Sequence, residues 1–233
     1  MTDAPGVLPL APVSDIPRRL ASEALGTALL LAVVVGSGIM AERLTQDTGL
    51  ALLANTAATA AGLVVLISTF GPVSGAHFNP AVTMISALRR ETSAGIAAAY
   101  VLAQTAGAVA GVWLAHLMFA EPVIQVSARL RDSPGQALSE GVATFGLIGV
   151  ILAGGRFQPQ SAPALVGLYI GAAYWFTAST SFANPAVTLA RTLSDTFAGI
   201  APSSAPAFVA AQIVGALLAL IVFGWILGKE NTP

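Results

Sequence analysis

Gly71-Pro-Val-Ser-Gly-Ala-His-Phe-Asn-Pro-Ala-Val-Thr83 aligns without a gap with Phe176-Thr-Ala-Ser-Thr-Ser-Phe-Ala-Asn-Pro-Ala-Val-Thr188, 105 residues further along the chain. The two copies share Ser74 and Ser179 and the whole run Asn-Pro-Ala-Val-Thr. Asn is a favoured N-cap, and Pro fits the first helical position because its missing N–H would be unpaired there anyway. Each copy therefore predicts a short helix, one opening at Asn79-Pro80-Ala81 and one at Asn184-Pro185-Ala186. One such start is an ordinary helix signal. Two identical copies, each between long apolar runs, are a duplication.

The solvent of those runs follows from composition. The chain is 55% hydrophobic and only 9% charged, with mean hydropathy +0.79, whereas a soluble domain carries roughly 25% charged residues. Six runs qualify as spans, at about 20–41, 50–70, 93–119, 137–155, 162–178 and 206–227, against the roughly 20 residues that a crossing helix needs. Small residues such as Gly107 and Gly111 recur one helical turn apart, which suits close packing where no hydrophobic effect drives helices together. The expected fold is an all-α membrane protein with six transmembrane helices plus two re-entrant half-helices. Residues 1–17 hold Pro5, Pro9, Pro12 and Pro17 and lack the basic start of a signal peptide, so they read as a flexible cytoplasmic tail. Residues 18–228 read as one channel domain, and 229–233 as a short C-terminal tail.

The duplication reaches beyond the motifs. Ala103-Gln104 with Gly107-Ala108 recurs as Ala211-Gln212 with Gly215-Ala216, and Glu23 with Thr27 recurs as Glu140 with Thr144. Three spans precede the second glutamate, so the halves, about 18–120 and 136–228, must be inverted in the membrane. Inverted repeats place a functional site near the midplane, where the halves meet. With both termini inside, the inner side carries Arg18, Arg19, Arg89, Arg90, Arg156 and Lys229, and the outer side Arg43, Arg129, Arg131 and Arg191. That excess predicts cytoplasmic termini in the cell (inner) membrane.

Irregular backbone at membrane depth survives only where it is buried in protein or lines a watery cavity. Two half-helices entering from opposite sides, with their N-termini meeting, supply such a cavity. Each N-terminus carries an effective charge of about +0.5, so the centre repels cations and protons. Asn79 and Asn184 can each donate a hydrogen bond to a solute oxygen there. Other chemistries find little support. The net charge of −1 provides no electrostatic footprint for nucleic acid. With no cysteine and only His77 and His116, neither a metal centre nor a cofactor is expected.

These residues resemble the aquaporin, or major intrinsic protein, family across essentially all of residues 18–228. The resemblance implies six spans and two half-helices, a homotetramer in the lipid bilayer with one pore per subunit, and passive permeation of small neutral solutes. It implies that Glu23 and Glu140 hold the re-entrant loops and that His77 lies near the cytoplasmic vestibule. In the family an arginine commonly stands three residues after the second motif's Asn, and here that position is Val187. The other filter positions, counted in register, become Thr59, Ala172 and Ser181, with Tyr174 as the alternative to Ala172. Arg191, one turn beyond Val187 on the same face, is read as capping the half-helix or pairing with Asp195, with a compensating place in the pore left open. The branch with Val at this position resembles bacterial proteins associated with arsenic resistance. Water, glycerol-like polyols, urea and undissociated arsenite or antimonite are the implied permeants.

Three rivals come from other classes, one of them a purely structural, adhesive role for a closed pore. An intramembrane serine hydrolase would need Ser74 paired with a base such as His116. A secondary transporter would use Glu23 or Glu140 as an ion-coupling site.

Overall fold

The computed structural model describes residues 15–228. Its helices are α1 (Ile16–Leu44), α2 (Thr48–Ser74), α3 (Pro80–Leu88), α4 (Ala94–Met118), α5 (Pro134–Phe157), α6 (Ala162–Phe176), α7 (Pro185–Arg191) and α8 (Ala205–Ile226). The first helix begins at Ile16, two residues inside the segment expected to be a tail, with Pro17 at its first turn. The rest of that tail and the C-terminal tail lie outside the described residues.

Helices α1, α2, α4, α5 and α8 are long and apolar enough to cross a membrane. Helix α6, the fifth expected span, has only 15 residues, about 22 Å of rise against a hydrocarbon core of about 30 Å. A short 3₁₀ turn at Pro159–Ser161 leads into it, and Thr177 leaves it in an extended conformation. The residues expected to finish this span are the ones that begin the second re-entrant loop.

Packing follows an approximate two-fold relation that exchanges α1 with α5, α2 with α6, α3 with α7 and α4 with α8. Helix α1 packs on α2 and α4, α5 packs on α6 and α8, and α2 meets α6 across the centre. Each half-helix touches the last long helix of both halves. The glycines at the equivalent α1–α4 and α5–α8 crossings explain how closely these helices approach. A Cβ on Gly107 would stand 2.1 Å from the Ala24 carbonyl oxygen, and one on Gly215 would stand 2.2 Å from that of Gly141. Large apolar side chains such as Leu102, Leu168 and Ile221 remain exposed on the outer surface, as expected of a surface solvated by lipid.

Candidate functional site

The two half-helices start as the motifs dictate. Asn79 and Asn184 are extended N-cap residues, and Pro80 and Pro185 open α3 and α7. Asn79 Oδ1 accepts from the Ala81 N–H at 2.9 Å, and Asn184 Oδ1 accepts from Ala186 N at 3.0 Å and Val187 N at 3.2 Å. Capping turns each Oδ1 back onto its own helix and leaves each Nδ2 facing the opposite half. Asn79 Nδ2 donates to the Ala183 carbonyl and Asn184 Nδ2 to the Phe78 carbonyl, both at 2.8 Å. These reciprocal bonds tie the half-helix N-termini together. Each amide keeps one further N–H, and both Asn residues line the central cavity. Ala81 and Ala186 are almost completely buried.

The reciprocal geometry needs an unusual backbone. Phe78 and Ala183, each preceding its Asn, both have φ 47, and two residues earlier Ala76 has φ 48 and Ser181 φ 51. Non-glycine residues in this left-handed region are strained and persist only where the surroundings over-determine them. Buried carboxylates supply that constraint. Glu23 accepts from Ser74 Oγ at 2.6 Å, from the backbone N–H groups of His77 at 3.0 Å and Phe78 at 2.8 Å, and from Gln104 Nε2 at 2.8 Å. Glu140 accepts from the backbone N–H groups of Phe182 and Ala183, both at 2.8 Å, and from Gln212 Nε2 at 2.6 Å. Gln104 and Gln212 also donate to Thr83 and Thr188, the last residues of the two copies. The repeat seen in the sequence is therefore one bonding device built twice. Both carboxylates are spent on loop amides, which weighs against an ion-coupling role.

The central cavity is about 220 Å³. One wall is apolar and comes from residues one turn apart on four helices: Leu30 with Val34, Leu63 with Ile67, Leu147 with Ile151, and Val166 with Ile170. The opposing wall is the two re-entrant loops, including Gly75 to Asn79 and Ser181 to Asn184. The glutamates hold the N–H groups of His77, Phe78, Phe182 and Ala183 in these loops. His77 lines the cavity at the end nearer the start of α1, with Nδ1 3.1 Å from Thr83 Oγ1 and its ring edge-on to Tyr100.

Of the four expected filter residues, Thr59, Ser181 and Val187 line the cavity. Ala172 does not. It is exposed on the outer side of α6, and Tyr174, two residues on and buried, takes the lining position instead. The Ala172 expectation is thereby corrected: Val166, Ile170 and Tyr174, spaced four residues apart, form the face of α6 toward the cavity, and Ala172 lies about 200° round the helix from Tyr174. Tyr174 OH donates to Thr59 Oγ1 at 3.2 Å. The pairing of Arg191 with Asp195 is also corrected, because Asp195 Oδ1 accepts from Ala128 N, while Arg191 Nε donates to the Ala198 carbonyl. Arg191 instead lines the cavity, its guanidinium carbon 3.3 Å from the centroid of the Phe182 ring. Arg131, from the loop before α5, lies over the same ring at 5.1 Å and donates to the Gly199 and Ser179 carbonyls. Burial, and then neighbouring Arg129, lower its pKa to about 10, so it stays cationic at neutral pH. The sequence signal for this pair is the register position shared by His77 and Phe182, where the second copy replaces a polar imidazole with an apolar phenyl ring on which the guanidinium groups can stack.

Ser74 and His116 do not meet. Ser74 closes α2 beside Glu23, whereas His116 sits near the far end of α4, bonded to Ser194 Oγ at 2.9 Å and to the Val123 carbonyl at 3.0 Å.

Comparison with known proteins places this geometry. The family model described as major intrinsic protein matches residues 12–181. Aquaglyceroporin AqpS of Rhizobium meliloti (strain 1021) is 59% identical over 213 residues, covering 91% of each chain. Aquaporin Z of Bradyrhizobium diazoefficiens is 28% identical over 232 residues, 92% of this chain and 95% of the relative. Among solved structures, the aquaglyceroporin from Plasmodium falciparum superposes with TM-score 0.67 at 22% identity, over 91% of this chain and 97% of that one.

Proposed function

The chain belongs to the major intrinsic protein family, a family of membrane channels rather than enzymes, and from that premise we propose that it is a wide, passive channel for small neutral hydroxylated solutes. The permeants are water, glycerol-like polyols and the undissociated hydroxides of arsenic or antimony. Val187 carries this reading. An arginine there would bring bulk, several donors and a fixed charge to the cavity wall at once, and valine brings none of them. The name aquaglyceroporin, borne by the relative that is 59% identical, supports polyols as substrates.

In this reading Asn79 and Asn184 with their Pro and Ala residues form the midplane site, and Thr59, Tyr174, Ser181 and Val187 surround the outer constriction. A solute moves with its hydroxyls toward the loop carbonyls and its carbon skeleton against the apolar wall. The two half-helix N-termini raise the potential at the midplane and disfavour cations. Residues 18–228 form one channel domain from two inverted halves, assembled as a homotetramer in the cell membrane with cytoplasmic termini. The ends of α1, α3 and α5, with Arg18, Arg19, Arg89, Arg90 and Arg156, support that orientation.

The test is stopped-flow light scattering on proteoliposomes, comparing water, glycerol and arsenite uptake. Non-saturating flux of all three, independent of proton and sodium gradients, is expected. Accumulation above equilibrium would eliminate the channel reading in favour of a coupled transporter.

A further inference from the structure

Arg191 stands four residues after Val187 on α7, one helical turn, or about 6 Å, further toward the outer mouth. It is 3% exposed and lines the cavity. Two contacts fix its head: Nε donates to the Ala198 carbonyl, and the guanidinium stacks on Phe182, which Arg131 flanks in turn. Among the described residues it has no carboxylate partner, and its two Nη groups have no protein acceptor. A buried cation without a counter-ion is costly. The C-terminal end of α7 and the aromatic face offset part of that cost, but neither takes up the Nη donors. Two hydroxyl sites lie around the same end of the cavity. Ser181 Oγ is buried without a partner, and Thr59, which accepts from Tyr174, retains its own proton.

We propose that Arg191 is a specificity-determining residue, whose Nη donors bind the oxygens of a neutral solute with two or more hydroxyl groups at the outer mouth. This rests on the reading of the cavity as a permeation path. Selection by charge and hydrogen bonding is then separated along the axis from selection by width. Arg191 supplies donors and a positive barrier to cations, and Val187, one turn deeper, leaves the bore open. Entering the cavity strips water from a polyol. The Nη groups replace part of that hydration, and Thr59 and Ser181 can take up the remaining hydroxyls. Water, with fewer hydroxyls to satisfy, depends on them less.

The experiment uses the full chain in proteoliposomes and compares wild type with Arg191→Gln and Arg191→Lys. Arg191→Gln is expected to lower the glycerol-to-water permeability ratio roughly tenfold, the worth of one charge-assisted hydrogen bond, and to open a measurable potassium leak. Arg191→Lys, which keeps the charge but loses the fork, is expected to lower the ratio without the leak. A role confined to holding the Ala198 loop would reduce all fluxes by a common factor. A folded Arg191→Gln protein with an unchanged ratio and no leak overturns the proposal. Because either variant can fail to fold, wild-type protein is also treated with phenylglyoxal, and modification of Arg191 is read by mass spectrometry. Slower modification in molar glycerol is expected. An unchanged rate, or no modification at all, counts against the proposal. Wild-type liposomes that pass neither water nor glycerol would instead defeat the permeation reading itself.

Discussion

Replacing Glu140 by Gln changes one atom of a completely buried side chain and tests how the second re-entrant loop is held. The carboxylate accepts three hydrogen bonds, one on Oε1 from Phe182 N and two on Oε2 from Ala183 N and Gln212 Nε2. An amide has only one acceptor. Its better orientation keeps the oxygen toward Ala183 and Gln212, and points its own N–H groups at the Phe182 N–H. That leaves one buried backbone donor orphaned, a cost of about 1–3 kcal/mol, and removes charge assistance from the two surviving bonds at roughly 1 kcal/mol each. The sum, about 3–5 kcal/mol, lowers Tm by on the order of 10 °C, and the loop that carries Ser181, Phe182 and Ala183 loosens with it. The assay is thermal unfolding in detergent followed by water and glycerol flux from the surviving protein. Glu42→Gln is the control, since Glu42 accepts from Arg129 and Phe197 N at an exposed site, where an ion pair contributes about 1 kcal/mol or less. Equal losses from the two variants, or an unshifted Tm for Glu140→Gln, would refute the argument that the carboxylate holds the loop.

Three further outcomes follow from the geometry. Val187→Arg adds a second cation one turn from Arg191, so glycerol and arsenite flux should fall by a larger factor than water flux; unchanged ratios in a folded mutant would remove Val187 from the constriction. Asn79→Asp or Asn184→Asp replaces the amide that donates to the opposite half's carbonyl with an acceptor facing an acceptor, and should lower both stability and flux; two mutants that fold and transport like wild type would misplace the midplane site. Gly107→Leu and Gly215→Leu should each abolish folded protein, because their Cβ atoms would stand 2.1 Å and 2.2 Å from backbone oxygens of the neighbouring helix, and size-exclusion profiles matching wild type would contradict the close crossings.

The linear order of residues determined the elements and their duplication. The N-cap preference of Asn, the tolerance of Pro at the first helical position and the length of the apolar runs are local properties, so both half-helix starts and most of the span positions could be read directly. Repetition likewise matched Glu23 with Glu140 and Gln104 with Gln212, whereas the bond between Glu and Gln within each half came only from the fold. Tertiary structure decided which side chains face the lumen. Ala172 and Tyr174 are two residues apart on one helix, and the side each presents depends on where α6 ends against α2 and the second loop, which periodicity cannot supply. Arg191 is the sharper case. In sequence its nearest carboxylate is Asp195, but the chain turns back after α7 and brings the Ala198 carbonyl and the Phe182 ring to it first. Buried charges are placed by whichever dipoles and aromatic faces the fold delivers at contact distance, and those come here from residues that precede and follow the half-helix.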